Sequence, residues 1–200
     1  MNIICFDMEG VFTPEIWVNV ARKTGIDALK ITTRDEPDYD KLMHYRIGIL
    51  GESGITLSDI QEVIASLNLL EGAREFMDWV RSRSQVIVVT DSFVEFAMPF
   101  IEKLGKPLVL CHSLITDERG MITGYKLRQE DPKRKTVEAF QGLKYRIIAI
   151  GDSYNDISML LQAEHGILYR PPDKVKAEYP QLPVTTNYEE LKKAIEELIG

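Results

Sequence analysis

Two hundred residues give one ordinary domain with room for a small inserted subdomain, and such a chain buries roughly 70% of its unfolded surface without metal or disulfide staples. With 44% hydrophobic and 28% charged residues, 13 Gly and 9 Pro, the composition excludes disordered and collagen-like chains. The formal charge of −7 argues against broad phosphate neutralisation on nucleic acid, though a few placed cations and a metal can still receive a small anion.

No apolar run approaches the ~18 residues of a bilayer span, and the chain opens into a strand-like segment with no basic or cleavable leader. Cys5 and Cys111 are too few for a disulfide framework. The expectation is a soluble, cytoplasmic protein of a reducing compartment, with no membrane and no nucleic-acid partner.

Short apolar runs alternate with longer amphipathic segments, the pattern of an α/β domain. Residues 2–6 read as the first strand. Thr13 as N-cap with Pro14 at the first helical position opens a helix. A second helix covers about 38–50 and stops at the Gly51-Glu-Ser-Gly54 break, and a third starts at Thr56 with Asp59 as a weakened capping box. A fourth, 72–83, leads into a strand at 85–89. About eighty residues separate the first two strands, far more than a minimal crossover needs. Residues 14–71 are therefore expected to form an inserted helical cap, with 1–13 and 72–200 as the core.

Residues 93–104 read as a helix, 108–111 as a short strand, and 114–126 as a hairpin around Asp117-Glu-Arg-Gly120. Asp131-Pro132 opens a helix ending near Gly142, and 145–150 form a third apolar strand. A helix to about 163, a short strand at 165–169, a break at Pro171-Pro172 and a terminal helix opened by Asn187 and Glu190 complete the chain, with no internal repeat. The strands at 2–6, 85–89 and 145–150 are apolar without alternation, as in sheets covered on both faces. Each ends at or beside an acid: Asp7, Thr90-Asp91 and Asp152. Ligands of open α/β sheets sit beyond the carboxyl ends of strands, so these are three candidates for one crevice.

Four clusters carry candidate chemistry. In Asp7-Met-Glu9-Gly10-Val11, a glycine turn lets two acids converge, and a divalent cation would relieve their repulsion. Two solvated acids in a loop would carry the same letters. Gly151-Asp152-Ser-Tyr-Asn155-Asp156 supplies hard oxygen ligands and an amide, or else an Asx-type loop capping the next helix. Thr90-Asp91-Ser92 offers a hydroxyl and backbone amides for an anion at a helix start, or plain N-capping. Lys133, in Asp131-Pro-Lys-Arg-Lys135, places cations in a first helical turn against the dipole, which an anion held nearby would explain. His44, His112 and His165 lie at no metal-ligand spacing, and Trp17, Phe76 and Trp79 read most simply as core.

Taken in order, Asp7-x-Glu9-Gly-Val, Thr90, Lys133 and Gly-Asp152-x-x-Asn155-Asp156 resemble the four motifs of the haloacid dehalogenase-like phosphatases. The chain looks most like the phosphoserine phosphatases, and within them the bifunctional phosphoserine phosphatase/homoserine phosphotransferase branch. Pro14-Glu15-Ile-Trp17, Lys23-Thr-Gly-Ile-Asp-Ala28, Thr33-Arg34-Asp35, Pro37-Asp-Tyr-Asp40, Asp59-Ile-Gln-Glu-Val-Ile-Ala65 and Gln129-x-Asp-Pro-Lys-Arg134 carry that closer likeness.

The resemblance implies a doubly wound parallel sheet, with a Rossmann-like core and a small four-helix cap over its active edge. It implies Asp7 as nucleophile forming an aspartyl-phosphate, Glu9 as general acid and base, and Mg²⁺ held by Asp7, the Glu9 main-chain carbonyl and Asp152. Thr90, Asp91, Lys133 and Asn155 would hold the phosphoryl group, with Asp156 orienting Lys133 or the metal shell. By similarity Glu15 faces the amino group and Arg46 the carboxylate of phosphoserine, with homoserine as an acceptor; from the residues alone, both read as ordinary helix charges. Glu9 stands where most of the superfamily has Asp, and the bifunctional branch shares this departure. A homodimer is compatible with all of this, and Gly10 and Gly72 are the hinge candidates.

Three other readings compete. A signalling receiver domain also clusters Asp, Thr or Ser and Lys, but is shorter and orders these parts differently. A catalytically silent binder of a phosphorylated metabolite would keep most of these residues, and a phosphatase for another small phosphoester, such as a sugar or glycolate phosphate, would not need Arg46.

Overall fold

In a computed structural model that describes residues 1–32, 35–36 and 38–199, β1 (Asn2–Phe6) lies at the centre of a seven-stranded sheet. The other strands are β2 (Gln85–Phe93), β3 (Leu108–Thr116), β4 (Ile122–Lys126), β5 (Arg146–Gly151), β6 (His165–Tyr169) and β7 (Val184–Thr185). Their order is β4-β3-β2-β1-β5-β6-β7, parallel except for β4. The chain moves outward from β1 to β4, then returns to β5 on the other side of β1. That reversal opens a crevice at the carboxyl end of β1.

Alternate residues of each strand face opposite sides, and both sides are covered. Ile4, Phe6, Val88, Ile148 and Ile150 pack with α4 (Ala73–Arg81), α5 (Val94–Lys103) and α9 (Tyr188–Ile199). Ile3, Cys5, Ile87, Val89, Ile147 and Ala149 pack on the other side with α6 (Pro132–Gly142), α7 (Ile157–Gln162) and α8 (Asp173–Glu178). The expected doubly wound α/β architecture is the one observed, and burial on both faces is why the strands show no alternation. Among the described residues no helix is long and apolar enough to cross a membrane.

Between β1 and α4 the described residues form α1 (Ile16–Thr24), a 3-10 turn (Asp27–Lys30), α2 (Tyr39–Ser53) and α3 (Leu57–Ala65). This is three α-helices and one turn where a four-helix bundle was implied. Ile16, Val20, Leu29, Met43, Leu50, Ile60 and Ile64 are buried and continuous with the first core cluster. Hydrogen bonds from Leu57 N–H to the Gly120 carbonyl (2.9 Å), Leu70 N–H to the Phe12 carbonyl (2.9 Å) and the Gln61 amide to the Glu95 carbonyl (3.1 Å) fasten the segment to the rest. Thr33, Arg34 and Pro37, which carry part of the closer family likeness, lie outside the described residues.

Several boundaries differ from expectation for identifiable reasons. Helix α1 starts at Ile16, so Thr13 is not its N-cap and Pro14 is not its first residue. Gly10 N–H instead bonds the Thr13 carbonyl at 2.8 Å, closing a tight turn before the helix. Helix α2 passes through Gly51 to Ser53 and stops at Gly54, whose left-handed backbone forms the C-cap. The Thr56–Asp59 capping box is present in full. Strand β3 outruns its expected length because it leaves β2 to pair with β4 in the expected hairpin. The helix expected from Asp152 is delayed to Ile157 by a 3-10 turn at Tyr154–Asp156, fixed by a Ser153–Asp156 capping box.

Candidate active site

Asp7, Thr90-Asp91 and Asp152 do meet, at the carboxyl ends of β1, β2 and β5. Asp7 continues β1 by donating its N–H to the Ile150 carbonyl at 2.9 Å. The chain then turns at Gly10, with φ of 79°. A Cβ there would lie 2.6 Å from Asp152 Oδ2, so glycine is needed for the turn and for the approach of the second acid. Gly151 is required likewise, since its Cβ would fall 2.4 Å from that of Asp156.

Lys133 is the centre of the cluster. Only 1% exposed, its ammonium donates to Asp156 Oδ1 at 2.6 Å and Asp7 Oδ1 at 2.9 Å, and lies 3.1 Å from Asp91 Oδ2. Asp156 Oδ2 accepts the N–H groups of Asp152 (2.9 Å) and Ser153 (3.1 Å), so this acid holds both the lysine and the strand-end loop. The cations in the first turn of α6 are thus balanced by the protein's own acids: Lys133 by Asp7, Asp91 and Asp156, and Arg134 by Asp131 and Glu138. Asp131 precedes them with a φ of 44°, a costly value for a non-glycine residue, and accepts from the Ser158 hydroxyl at 3.0 Å.

The Thr90 region is not a helix start. Val89 pairs with Leu110 and Phe93 with His112, so residues 90–92 bulge out of the ladder and α5 begins only at Val94. The bulge turns Thr90, Asp91 and Ser92 into the cavity. Ser92 N–H donates to the Thr90 hydroxyl at 3.2 Å, and the Asn155 amide donates to Asp91 Oδ2 at 2.8 Å.

Glu15, Trp17, Tyr39 and Arg46 from the 14–71 segment close a cavity of about 100 Å³ over these groups. Arg46 is 5% exposed, lies 4.5 Å above the Trp17 ring and donates from Nη2 to the Ile31 carbonyl at 2.6 Å. Its Nε has no partner among the described residues, an expensive arrangement for a buried donor. Glu9 Oε2 accepts the Ile16 N–H at 2.8 Å, and so supplies the α1 cap that Thr13 does not.

Burial, together with Asp156, holds the Asp7 carboxyl well above the ordinary carboxylate range despite Lys133. Burial raises Asp152 to about 7, helped by Asp156 and Glu15, and raises Glu9 to about 8, helped by Glu15. Burial alone would lower Lys133, but Asp156, Asp7 and Asp91 outweigh it and keep the ammonium charged. Arg46 is lowered to about 10 by burial, with Glu9, Tyr39 and Glu15 opposing.

Residues 1–164 match the family model of the haloacid dehalogenase-like hydrolases. The chain belongs to that family. It is 56% identical to phosphoserine phosphatase ThrH of Pseudomonas aeruginosa over 193 residues, covering 96% of this chain and 94% of the relative. It is 55% identical to a phosphoserine phosphatase of Pseudomonas syringae, covering 96% and 81%. A solved phospho-aspartyl intermediate analogue of phosphoserine phosphatase superposes with a TM-score of 0.80 at 20% identity, covering 96% of this chain and 98% of that one, a likeness of fold.

Asp7 at the end of β1, and Asp152 and Asp156 after β5, each offer a carboxylate oxygen, all within 4.8 Å of one another. All three are buried, Lys133 bonds two of them, and an all-oxygen donor set suits a hard divalent cation. Asp156 already serves Lys133 and two backbone amides, which makes it an orienting group more than a ligand. Sequence reasoning missed Tyr39, and took Trp17 for core alone although it also lines the cavity beneath Arg46. The three histidines stay apart, as expected: His44 meets the Asp40 carbonyl, His165 meets Arg146, and buried His112 accepts the Arg128 N–H.

Proposed function

We propose that this hydrolase is a Mg²⁺-dependent phosphoserine phosphatase acting through an aspartyl-phosphate on Asp7, and that it also passes the phosphoryl group to homoserine. The observation that carries this reading is the polarity of the cavity. A lysine-held acid cluster lines one part, while Glu15 and Arg46, with its unpaired Nε, line another. A phosphate monoester bearing an ammonium and a carboxylate matches both. The two Pseudomonas relatives support the substrate class.

Asp7 attacks as its carboxylate, the form that Lys133 and a bound divalent cation would favour against burial: one of its oxygens forms a bond to phosphorus as the ester P–O bond breaks. Glu9, protonated at neutral pH by virtue of its raised pKa, gives its proton to the departing seryl oxygen. It then takes a proton from water, or from the homoserine hydroxyl, as that oxygen attacks phosphorus and releases Asp7. Orthophosphate or phosphohomoserine leaves. Lys133, Thr90, Asn155 and the backbone at Asp91 hold the phosphoryl oxygens, and Asp156 orients Lys133. Asp7, Asp152 and the Glu9 carbonyl would hold Mg²⁺, which when bound neutralises phosphoryl charge. Glu15 would meet the substrate ammonium, and Arg46 its carboxylate by charge-assisted hydrogen bonds. Residues 14–71 form the inserted cap in this reading, and 1–13 with 72–200 the core.

Phosphorus NMR of the protein with O-phosphoserine and Mg²⁺, run with and without L-homoserine, tests it. Orthophosphate alone establishes the phosphatase and removes the transfer. A phosphohomoserine resonance that needs homoserine establishes both. No turnover in either tube overturns the amino-acid reading.

A further inference from the structure

We infer that Tyr39 is a positioning residue which couples the 14–71 segment to the phosphoryl site by fixing the peptide that aims the Thr90 hydroxyl. The inference rests on the phosphoryl-transfer reading and extends it to a residue outside its machinery. Tyr39 is the first residue of α2, capped by the Asp38 carboxylate accepting from Lys41 N–H. Its hydroxyl crosses to the other side of the cavity and donates to the Asp91 carbonyl at 2.8 Å. Its ring is held edge-on by Tyr125 at 5.9 Å and His112 at 6.2 Å, so the hydroxyl has a fixed bearing.

The Asp91 carbonyl and the Ser92 N–H belong to one planar trans peptide and point in opposite directions. Holding the carbonyl therefore sets the N–H. That N–H donates to the Thr90 hydroxyl oxygen at 3.2 Å. A hydroxyl that accepts there keeps its own hydrogen for another acceptor, and Thr90 lines the cavity. The chain of bonds runs from the Tyr39 O–H through the 91–92 peptide to a Thr90 O–H pointed at the phosphoryl oxygens. Each member polarises the next. The need for an external hold is clear from the strand: residues 90–92 bulge from the β2–β3 ladder, so sheet hydrogen bonds do not fix this peptide.

The test is a double-mutant cycle on Tyr39→Phe, which keeps the ring, and Thr90→Val, which cannot relay. Orthophosphate affinity in Mg²⁺ is read by calorimetry, and inhibition of phosphoserine hydrolysis by L-serine is read beside it. Tyr39→Phe should weaken orthophosphate by about three- to tenfold, the worth of one neutral hydrogen bond, and leave inhibition by L-serine unchanged. In the Thr90→Val background it should cost nothing further. Equal weakening of both ligands, additive effects of the two substitutions, or no change in orthophosphate affinity would each overturn the coupling. If the wild type fails to turn over phosphoserine, the proposed substrate is wrong, yet the orthophosphate arm still decides for or against Tyr39.

Discussion

Glu9 Oε2 accepts the backbone N–H of Ile16 at 2.8 Å, so the second acid of the first motif is also the cap of α1. One carboxyl oxygen is committed to the helix, and an Asp in this place would be one methylene shorter. An acid so tethered is less available to activate water, which would lengthen the life of an aspartyl-phosphate and favour another acceptor.

Glu9→Asp should therefore do two things. Loss of the cap should cost about 1 kcal/mol of stability, read as a lower denaturation midpoint. The ratio of orthophosphate to phosphohomoserine should rise, and an unchanged ratio by phosphorus NMR would count against the tether.

Arg46→Ala separates substrate recognition from chemistry. Charge-assisted hydrogen bonds are worth ~1.5–3 kcal/mol, so KM for phosphoserine should rise about ten- to a hundredfold. Hydrolysis of p-nitrophenyl phosphate, which has no carboxylate, should change little. Equal losses on both substrates would mean that Arg46 only packs on Trp17.

Lys133→Met leaves Asp7, Asp91 and Asp156 facing one another in the interior without their cation. Breaking a buried ion pair from one side costs roughly 3–5 kcal/mol, measurable by urea denaturation. Adding Asp156→Asn, which removes one of the stranded charges, should recover part of the stability and none of the activity. A single variant as stable as the wild type would show that the acids are not ionised together.

Mg²⁺ should raise the thermal midpoint of the wild type in a concentration-dependent way, by an amount equivalent to about 2.7 kcal/mol at a hundredfold excess over Kd. Asp152→Asn should lose most of that response. No shift in the wild type, by calorimetry, would remove the metal from the site.

His112 sets a pH limit on stability. It is 4% exposed and accepts the Arg128 N–H at Nδ1, which requires the neutral ring. Burial lowers its pKa, with Arg128 and Lys133 acting the same way and Asp91 against. A base lowered by folding adds stability at high pH, and the folded state loses it as pH falls below the ordinary histidine range. Glu9 and Asp152, raised by burial, act the other way over the same range, so the effect is read as a difference: between pH 7 and pH 5 the urea midpoint of His112→Gln, an acceptor that does not titrate, should gain on that of the wild type.

The strands could be read from the sequence because their cause is local. Residues 2–6, 85–89 and 145–150 are apolar on both faces, and an acid follows each, so the sheet and the three strand ends of the crevice were legible. The Thr56–Asp59 capping box and the 114–126 hairpin were legible for the same reason, each being fixed by residues a few positions apart. The start of α1 was not. Thr13 and Pro14 have the local chemistry of a helix opening, but the amide that needed a cap was satisfied by Glu9. Likewise Thr90 reads as an N-cap until β3 pairs out of step with β2 and lifts residues 90–92 from the ladder.

The site divides the same way. Sequence order marked Asp7, Glu9, Thr90, Lys133, Asp152, Asn155 and Asp156, and the resemblance added Glu15 and Arg46. Only the fold could bring Lys133 across 126 residues to Asp7, and Tyr39 across 52 to the Asp91 carbonyl. The sequence by itself determined which segments become strands and which acids end them, because propensity and capping act over a few residues. The tertiary structure decided which charges neutralise which and how the Thr90 peptide is held, because those depend on distances that exist only once the sheet has assembled.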